Sequence, residues 1–162
     1  MVGKLRNMAT VYLKKDEKFL LLFRKGGKIV DRVWTGSAGG HFEGAEVNDA
    51  AACVLREMKE ELGLSPEAIE NLALRYVTLR DTKGEIRLNY YFFADLKAEI
   101  EDPVSNEGDC KWFSQDEISK LEMPITAKYV LDHYISAGRQ TNELYVGVTN
   151  AKEVSFQPLP PT

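Results

Sequence analysis

The stretch from Asn48 to Gly63 constrains this chain most, because its pattern suits a helix with one apolar flank and one acidic flank. Asn48 or Asp49 can cap its start, and Gly63 stands where a helix-ending glycine is expected. With Glu57 set at 0° and about 100° per residue, Glu60 falls near 300° and Glu61 near 40°. The three acids therefore share an arc of about 100°. Val54, Met58, Leu62, Leu55 and Ala51 fill roughly 60–160° of the same wheel, a stripe that must be buried against another element.

Around that helix the periodicity drops to two. Residues 8–14 and 18–24 read as strands joined by the polar turn KDEK, and Gly26-Gly27 breaks the second. Residues 33–39 return through Trp34 to a glycine-rich loop. After the helix, Ser65-Pro66-Glu67 opens a short helical turn, and strands at 75–80 and 86–96 flank the turn DTKGE. Trp112-Phe113 reads as a short strand. Ser114 and Glu117 form a capping box for a helix at 115–121, and a second helix at 126–137 follows Pro124 and is closed by Gly138. The tail predicts a β-hairpin at 143–158, after which Pro158, Pro160 and Pro161 end regular structure. Strands outnumber helices and alternate with them irregularly. The expected fold is α/β (α+β), an α/β/α sandwich with a mixed β-sheet, as one domain over 1–162. The tail hairpin could extend the sheet, close over a site as a lid, or supply the surface of a homodimer.

Composition excludes several classes. A net charge of −4 argues against a broad nucleic-acid polymer surface, which needs basic patches. A single nucleotide remains compatible, because a bound metal can supply positive charge locally. No apolar run reaches the length of a membrane span, and the N-terminus lacks the long apolar region of a signal peptide. Cys53 and Cys110 have neither disulfide-framework nor zinc-ligand spacing and read as reduced core residues. The expectation is a cytoplasmic protein whose partner is a small molecule, with neither membrane nor polymer involved.

Three acids on a rigid helix could hold a hard divalent cation beside a diphosphate, since Mg²⁺ takes carboxylate, water and phosphate oxygens. Gly39-Gly40 just upstream would let backbone approach closely, so a glycine carbonyl could add a ligand. A solvated acidic face is the plainer explanation, because like charges at i,i+4 cost only about 0.2–0.5 kcal/mol.

The wider pattern bears on that choice. Gly40 is followed by five residues and Glu46, and Arg-Glu-Met-Lys-Glu-Glu-Leu-Gly-Leu occupies 56–64. This closely resembles the Nudix box, with Met58 and Leu64 in its aliphatic slots. The resemblance implies a Nudix-type sandwich and Mg²⁺-dependent hydrolysis (Mn²⁺ also serving) of a nucleoside diphosphate linked to X, giving two phosphorylated products. It implies Glu57, Glu60, Glu61 and the Gly39 carbonyl as metal ligands, Arg56 as the residue orienting Glu57, and Gly63 as the helix end. Nine residues rather than seven separate Glu46 from Arg56. Counting from Gly40 gives Glu46 as the first acid of the box; counting back from Arg56 gives Asn48. The glycine register is preferred because a loop absorbs an insertion more readily than a helix, and whether Glu46 still pairs with Arg56 stays open.

Outside the box, Glu107 stands five residues before Trp112, where some family members carry a general base; an ordinary loop acid, or the use of Glu60 or Glu61 instead, is the alternative. Arg24 could reach a substrate phosphate, as could the Gly40 backbone. Glu43 adjoins the metal loop. Trp34, Tyr90, Phe92 and Phe93 could stack on a base or be core; His41, directly after the glycine pair, is a disfavoured metal ligand, and His133 reads as structural or exposed. The turn Ser37-Ala38-Gly39-Gly40 does not match the coenzyme A diphosphatase pattern, and no proline follows the box where ADP-ribose hydrolases carry one. Small size and arrangement look more like MutT-type diphosphatases, which convert (d)NTPs such as 8-oxo-dGTP to the monophosphate and pyrophosphate. The asparagine which that type places before its last helix is Thr126 here, with Asn89 as another amide. Hydrolases of nucleotide sugars, dinucleotides or ADP-ribose, and a non-catalytic nucleotide-binding domain, are the alternatives.

Overall fold

In a computed structural model, residues 3–26, 31–150 and 152–159 are described. The strands, in chain order, are β1 (Lys4–Lys15), β2 (Lys18–Arg24), β3 (Trp34–Thr35), β4 (Ala38–His41), β5 (Ile69–Thr82), β6 (Glu85–Leu96), β7 (Gly108–Phe113), β8 (Leu144–Thr149) and β9 (Val154–Leu159). Three α-helices accompany them: α1 (Ala50–Leu62), α2 (Gln115–Ile118) and α3 (Ile125–Ser136). The sheet runs β3-β2-β1-β6-β5-β8-β9, with β4 also on β1 and β7 also on β2. Pairs β1/β6 and β5/β8 are parallel and the others antiparallel, so the sheet is mixed as expected.

Period-two alternation divides the strands between two cores. Ala9, Val11 and Leu13 of β1, with Phe92 and Ala94 of β6, pack under Cys53, Val54, Met58 and Leu62 of α1. Tyr12, Tyr76, Tyr91 and Phe93 point the other way, onto Ile118 of α2 and Val130, Leu131 and Tyr134 of α3. Helices on both faces make the α/β/α sandwich.

Several boundaries shift. β1 begins at Lys4, β5 at Ile69 and β7 at Gly108, earlier than the hydrophobic runs imply, because each extension is paired by a neighbouring strand. The helix expected at 115–121 ends at Ile118, although its Ser114/Glu117 capping box forms. The last helix spans 125–136, and Gly138 opens a 3-10 turn beyond it. Pro158 does not end regular structure: it lies within β9 opposite Tyr145. β9 is the outer strand of the sheet, where a missing N–H removes no ladder bond. Gly27, Pro160 and Pro161 lie outside the described residues.

Among the described residues, no helix is long and apolar enough to cross a membrane.

Candidate active site

α1 starts at Ala50, and the Asp49 side chain accepts from Ala52 N as its cap. It stops at Gly63, whose φ of 67° is the left-handed conformation that a glycine adopts without strain. β4 pairs antiparallel with β1 and lies across α1. Three successive β4 residues meet successive groups on the helix. Gly39 N donates to Glu61 Oε2 at 3.0 Å, Gly40 faces the Glu57 carboxylate, and His41 O accepts from Arg56 at 3.0 Å. A Cβ at Gly40 would stand 2.2 Å from Glu57 Oε1, so any other residue would have to displace the Glu57 carboxylate.

That crossing changes the character of the acidic arc. The three carboxylates do not present together to solvent: Glu57 and Glu61 retain 13% and 8% of side-chain exposure, while Glu60 keeps 57%. Cys53, on the same arc, is fully buried, and Leu55 at the far edge of the apolar stripe is only partly covered. The buried face has rotated toward the acids because β4, as well as the sheet, packs on the helix.

Two arginines hold these acids. Arg56 donates to Glu57 Oε1 at 2.8 Å and Glu60 Oε2 at 3.0 Å, and its Nε and second amino group reach Glu46 at 2.7 and 3.1 Å. The pairing left open by the longer loop is therefore made. Between Glu46 and the helix start at Ala50, residues 47–49 form a turn in which Val47 is exposed. Arg56 and the Glu43 N–H hold the Glu46 carboxyl down at about 2, and the same pairing raises the Arg56 guanidinium further above its ordinary value. Burial, and then Glu46, push the Cys53 thiol up to about 12. Glu43 caps the 3-10 turn carrying Glu46 and stands 4.0 Å from Arg56.

Arg24, at the end of β2, bridges Glu61 Oε1 at 2.6 Å and the Gly39 carbonyl at 3.1 Å. Burial raises the Glu61 carboxyl, and Arg24 opposes that rise. Glu107 precedes β7, is half exposed, and lies 3.9 Å from the other side of Arg24. Its position is set by Asn106, which sequence reasoning passed over: Asn106 bonds the carbonyls of Glu60 and Glu61 at the end of α1, at 3.1 and 3.4 Å.

Among the described residues, no three His, Cys, Asp or Glu side chains converge on one point. The donors nevertheless suit a hard cation, being carboxylate and carbonyl oxygens only. One nitrogen of Arg24 already stands as a positive group between Glu61 and the Gly39 carbonyl.

Beside this centre opens a cavity of about 390 Å³ lined by Gly39, Gly40 and Arg24 at one end and by Arg6, Arg80 and Arg87 at the other. Asn89, Thr78 and Thr126 also line it. Of the aromatics considered for stacking, Phe92 and Phe93 are core, Tyr90 packs on Phe42, and Trp34 packs on Phe23 and Phe113. His41 accepts from Arg6, and His133 Nδ1 is 2.7 Å from the Tyr76 hydroxyl, so both have protein partners. Of these arginines only Arg87 falls in a local pattern, the Arg-X-Asn-X-Tyr alternation at 87–91, which by itself reads as an ordinary half-exposed strand.

The Nudix domain pattern matches residues 4–134. No curated protein matches the chain. Among solved structures, the mutator MutT protein of Bacillus halodurans is 22% identical with a TM-score of 0.66, covering 97% of this chain and 99% of its own. An Ap4A hydrolase of C. elegans is 20% identical with a TM-score of 0.62, covering 85% and 99%. A bifunctional NMN adenylyltransferase/ADP ribose pyrophosphatase of Francisella tularensis, complexed with AMP and a manganese ion, is 17% identical with a TM-score of 0.60, covering 82% and 42%. At these identities the likeness carries the fold. With the acid-bearing helix in place under its glycine strand, the chain belongs to the Nudix family of hydrolases, which act on small nucleoside diphosphates linked to a group X.

Proposed function

We propose that this chain is a Mg²⁺-dependent hydrolase, with Mn²⁺ also effective, that cuts the phosphoanhydride of a nucleoside diphosphate linked to X. The observation that carries the reading is a cationic cavity, large enough for a nucleotide, whose wall at Gly39 and Gly40 is the backbone that meets Glu61 and Glu57 on its other side. Glu57, Glu60, Glu61 and the Gly39 carbonyl would hold the ion. When bound, it neutralises phosphate charge and lowers the pKa of an attacking water. Arg56 fixes the orientation of Glu57 and Glu60 through its planar fork. Arg24 takes up phosphate charge beside Gly39 in the cavity lining, exchanging its bond to Glu61 for the substrate. We assign to Glu107 the proton of the attacking water, because it is exposed and faces Arg24. The water oxygen bonds to phosphorus, the bridging oxygen leaves with the second phosphoryl group, and two phosphorylated products result.

For the substrate, the MutT-like arrangement supports a (d)NTP, including an oxidised one such as 8-oxo-dGTP, released as monophosphate and pyrophosphate. A second reading, a substrate with a larger charged X, is favoured by the arginines at the far end of the cavity. The test is turnover with Mg²⁺ of 8-oxo-dGTP, dGTP, ADP-ribose and a nucleotide sugar, with the products identified. Glu61→Gln lowers turnover at least about a hundredfold, more than the loss of an outer-shell contact costs, while thermal melting stays cooperative. A fully active Glu60→Gln/Glu61→Gln double variant would overturn the metal-ligand assignment.

A further inference from the structure

Arg6, Arg87 and Arg80 stand on three adjacent strands in one register row: Arg6 opposite Arg87 across β1/β6, and Arg87 opposite Arg80 across β6/β5. Residues in register on neighbouring strands lie about 4.8 Å apart and point to the same face. All three line the cavity, as do Asn89 and Thr78 of the next row. Like charges placed directly opposite destabilise a sheet, so such a row calls for a counter-charge.

The protein supplies only part of it. Glu85 Oε1 accepts from Arg6 at 3.2 Å and from Arg87 at 2.9 Å. Among the described residues, Arg80 pairs with no carboxylate, and no Asp or Glu lines the cavity. Three guanidiniums against one carboxylate leave two positive charges. A phosphate monoester carries about −1.5 to −2 at pH 7 and accepts bidentate bonds from guanidinium forks. A neutral base or sugar would leave the charge uncompensated.

Position separates this row from the metal end. Gly39 is opposite Thr10, four residues along β1 from Arg6. That is about 13 Å along the strand. With the one to three strand spacings of about 4.8 Å that separate β4 from β1, β6 and β5, the row lies roughly 14–20 Å from Gly39, backbone to backbone. The arginine side chains shorten that span by reaching into the shared cavity. We propose that the Arg6–Arg87–Arg80 row seats a second phosphate, remote from the diphosphate being cut, so that the preferred substrates are nucleoside diphosphate derivatives phosphorylated on the 2′ or 3′ hydroxyl of a ribose. This rests on the NDP-X hydrolase reading and narrows X and its nucleoside; it does not need the triphosphate reading.

The experiment uses substrate pairs that differ by that phosphate alone. NADPH with NADH and 2′-phospho-ADP-ribose with ADP-ribose test the 2′ position; coenzyme A with dephospho-coenzyme A tests the 3′ position. Dissociation constants are measured with Ca²⁺ in place of Mg²⁺, and kcat/KM with Mg²⁺. The phosphorylated member of at least one pair binds about tenfold or more tightly, and its kcat/KM is higher by a similar factor. In Arg80→Ala, whose side chain bonds to no carboxylate, that ratio collapses toward one, and Arg80→Lys restores part of it. Equal affinities within all three pairs overturn the proposal, as does a preference that survives in both Arg80→Ala and Arg87→Ala. A binding preference without turnover of any diphosphate supports the row and counts against the hydrolase reading, so the two fail separately.

Discussion

Gly40→Ala is the smallest change that tests the seat of Glu57. An added Cβ would stand 2.2 Å from Glu57 Oε1, 2.5 Å from Cδ and 2.9 Å from Oε2. The whole carboxylate must therefore retreat by about 1 Å or more before carbon and oxygen reach van der Waals contact. It cannot turn aside freely, because Arg56 holds Oε1 at 2.8 Å. Misplacing a reacting constellation by about 1 Å can cost roughly 10²-fold in rate, so kcat/KM should fall by about that factor and the Mg²⁺ concentration for half-maximal rate should rise. Stability should fall by about 1–3 kcal/mol from the crowding, offset only in part. Gly40 lies in a strand and has no positive φ, and restricting the unfolded chain by a glycine-to-alanine change contributes about 0.4–1 kcal/mol in favour of the fold. Gly44→Ala, with nothing within 4 Å of its added Cβ, is the matched control: it gains the same entropic contribution and should leave turnover and the Mg²⁺ requirement unchanged. Steady-state kinetics across a Mg²⁺ titration, beside thermal melts, reads both. Wild-type turnover with an unchanged Mg²⁺ requirement in Gly40→Ala would refute the placement of Glu57 at the metal.

Arg56→Met should destabilise the protein by about 3–5 kcal/mol, because Glu46 and Glu57 keep their burial and lose their counter-charge. That is a fall of roughly 6–20 °C in Tm by calorimetry for a chain of this size; a melt unchanged within a degree would show that the acids do not depend on it. Glu46 sets a pH limb. Its carboxyl is held down at about 2 against an ordinary value of 4.5, so its contribution is fully present above pH 4.5 and is lost as pH falls toward 2. Chemical denaturation across that window should show a shallower acid limb in Glu46→Gln than in wild type, and identical limbs would refute the pairing. Raising ionic strength should lower kcat/KM for a polyanionic nucleotide far more than kcat, since the cationic cavity acts on the approach of substrate; parallel losses in both would argue against it.

What the sequence made legible was local. The cap at Asp49, the stop at Gly63 and the Ser114/Glu117 capping box follow from chemistry within a few residues, and all three form. The strand extensions at Lys4–Asn7 and Gly108–Lys111 carry no apolar alternation, and they are strands only because β6 and β2 offer partners from elsewhere in the chain. The same division runs through the site. A helical wheel gathers Glu57, Glu60 and Glu61 on one arc, yet it cannot tell which of them will be buried. That depends on β4 crossing α1, a contact set by the pairing of β4 with β1. Arg6, Arg80 and Arg87 become neighbours through one parallel and one antiparallel ladder, and no local pattern joins them.

Strand β1 explains why two opposite charge systems coexist in so small a volume. One of its edges carries β4, whose glycines press on Glu57 and Glu61; its other edge carries β6, with Arg87 beside Arg6. Because Gly39 and Gly40 have no side chains, they turn only backbone toward the cavity, and the acids lie on the α1 side of that backbone with Arg24 and Arg56 already on them. The far end of the cavity therefore keeps a net positive charge, with Arg6 and Arg87 sharing Glu85 and Arg80 on no carboxylate, while the acids of α1 sit behind the β4 backbone. A bulkier residue at Gly40 would push Glu57 off its seat. An acid at position 89, in the row between, would cancel the far arginines. The small residues of β4 and the neutral row Met8, Asn89 and Thr78 are thus what keep a metal-binding end and an anion-binding end distinct within one cavity.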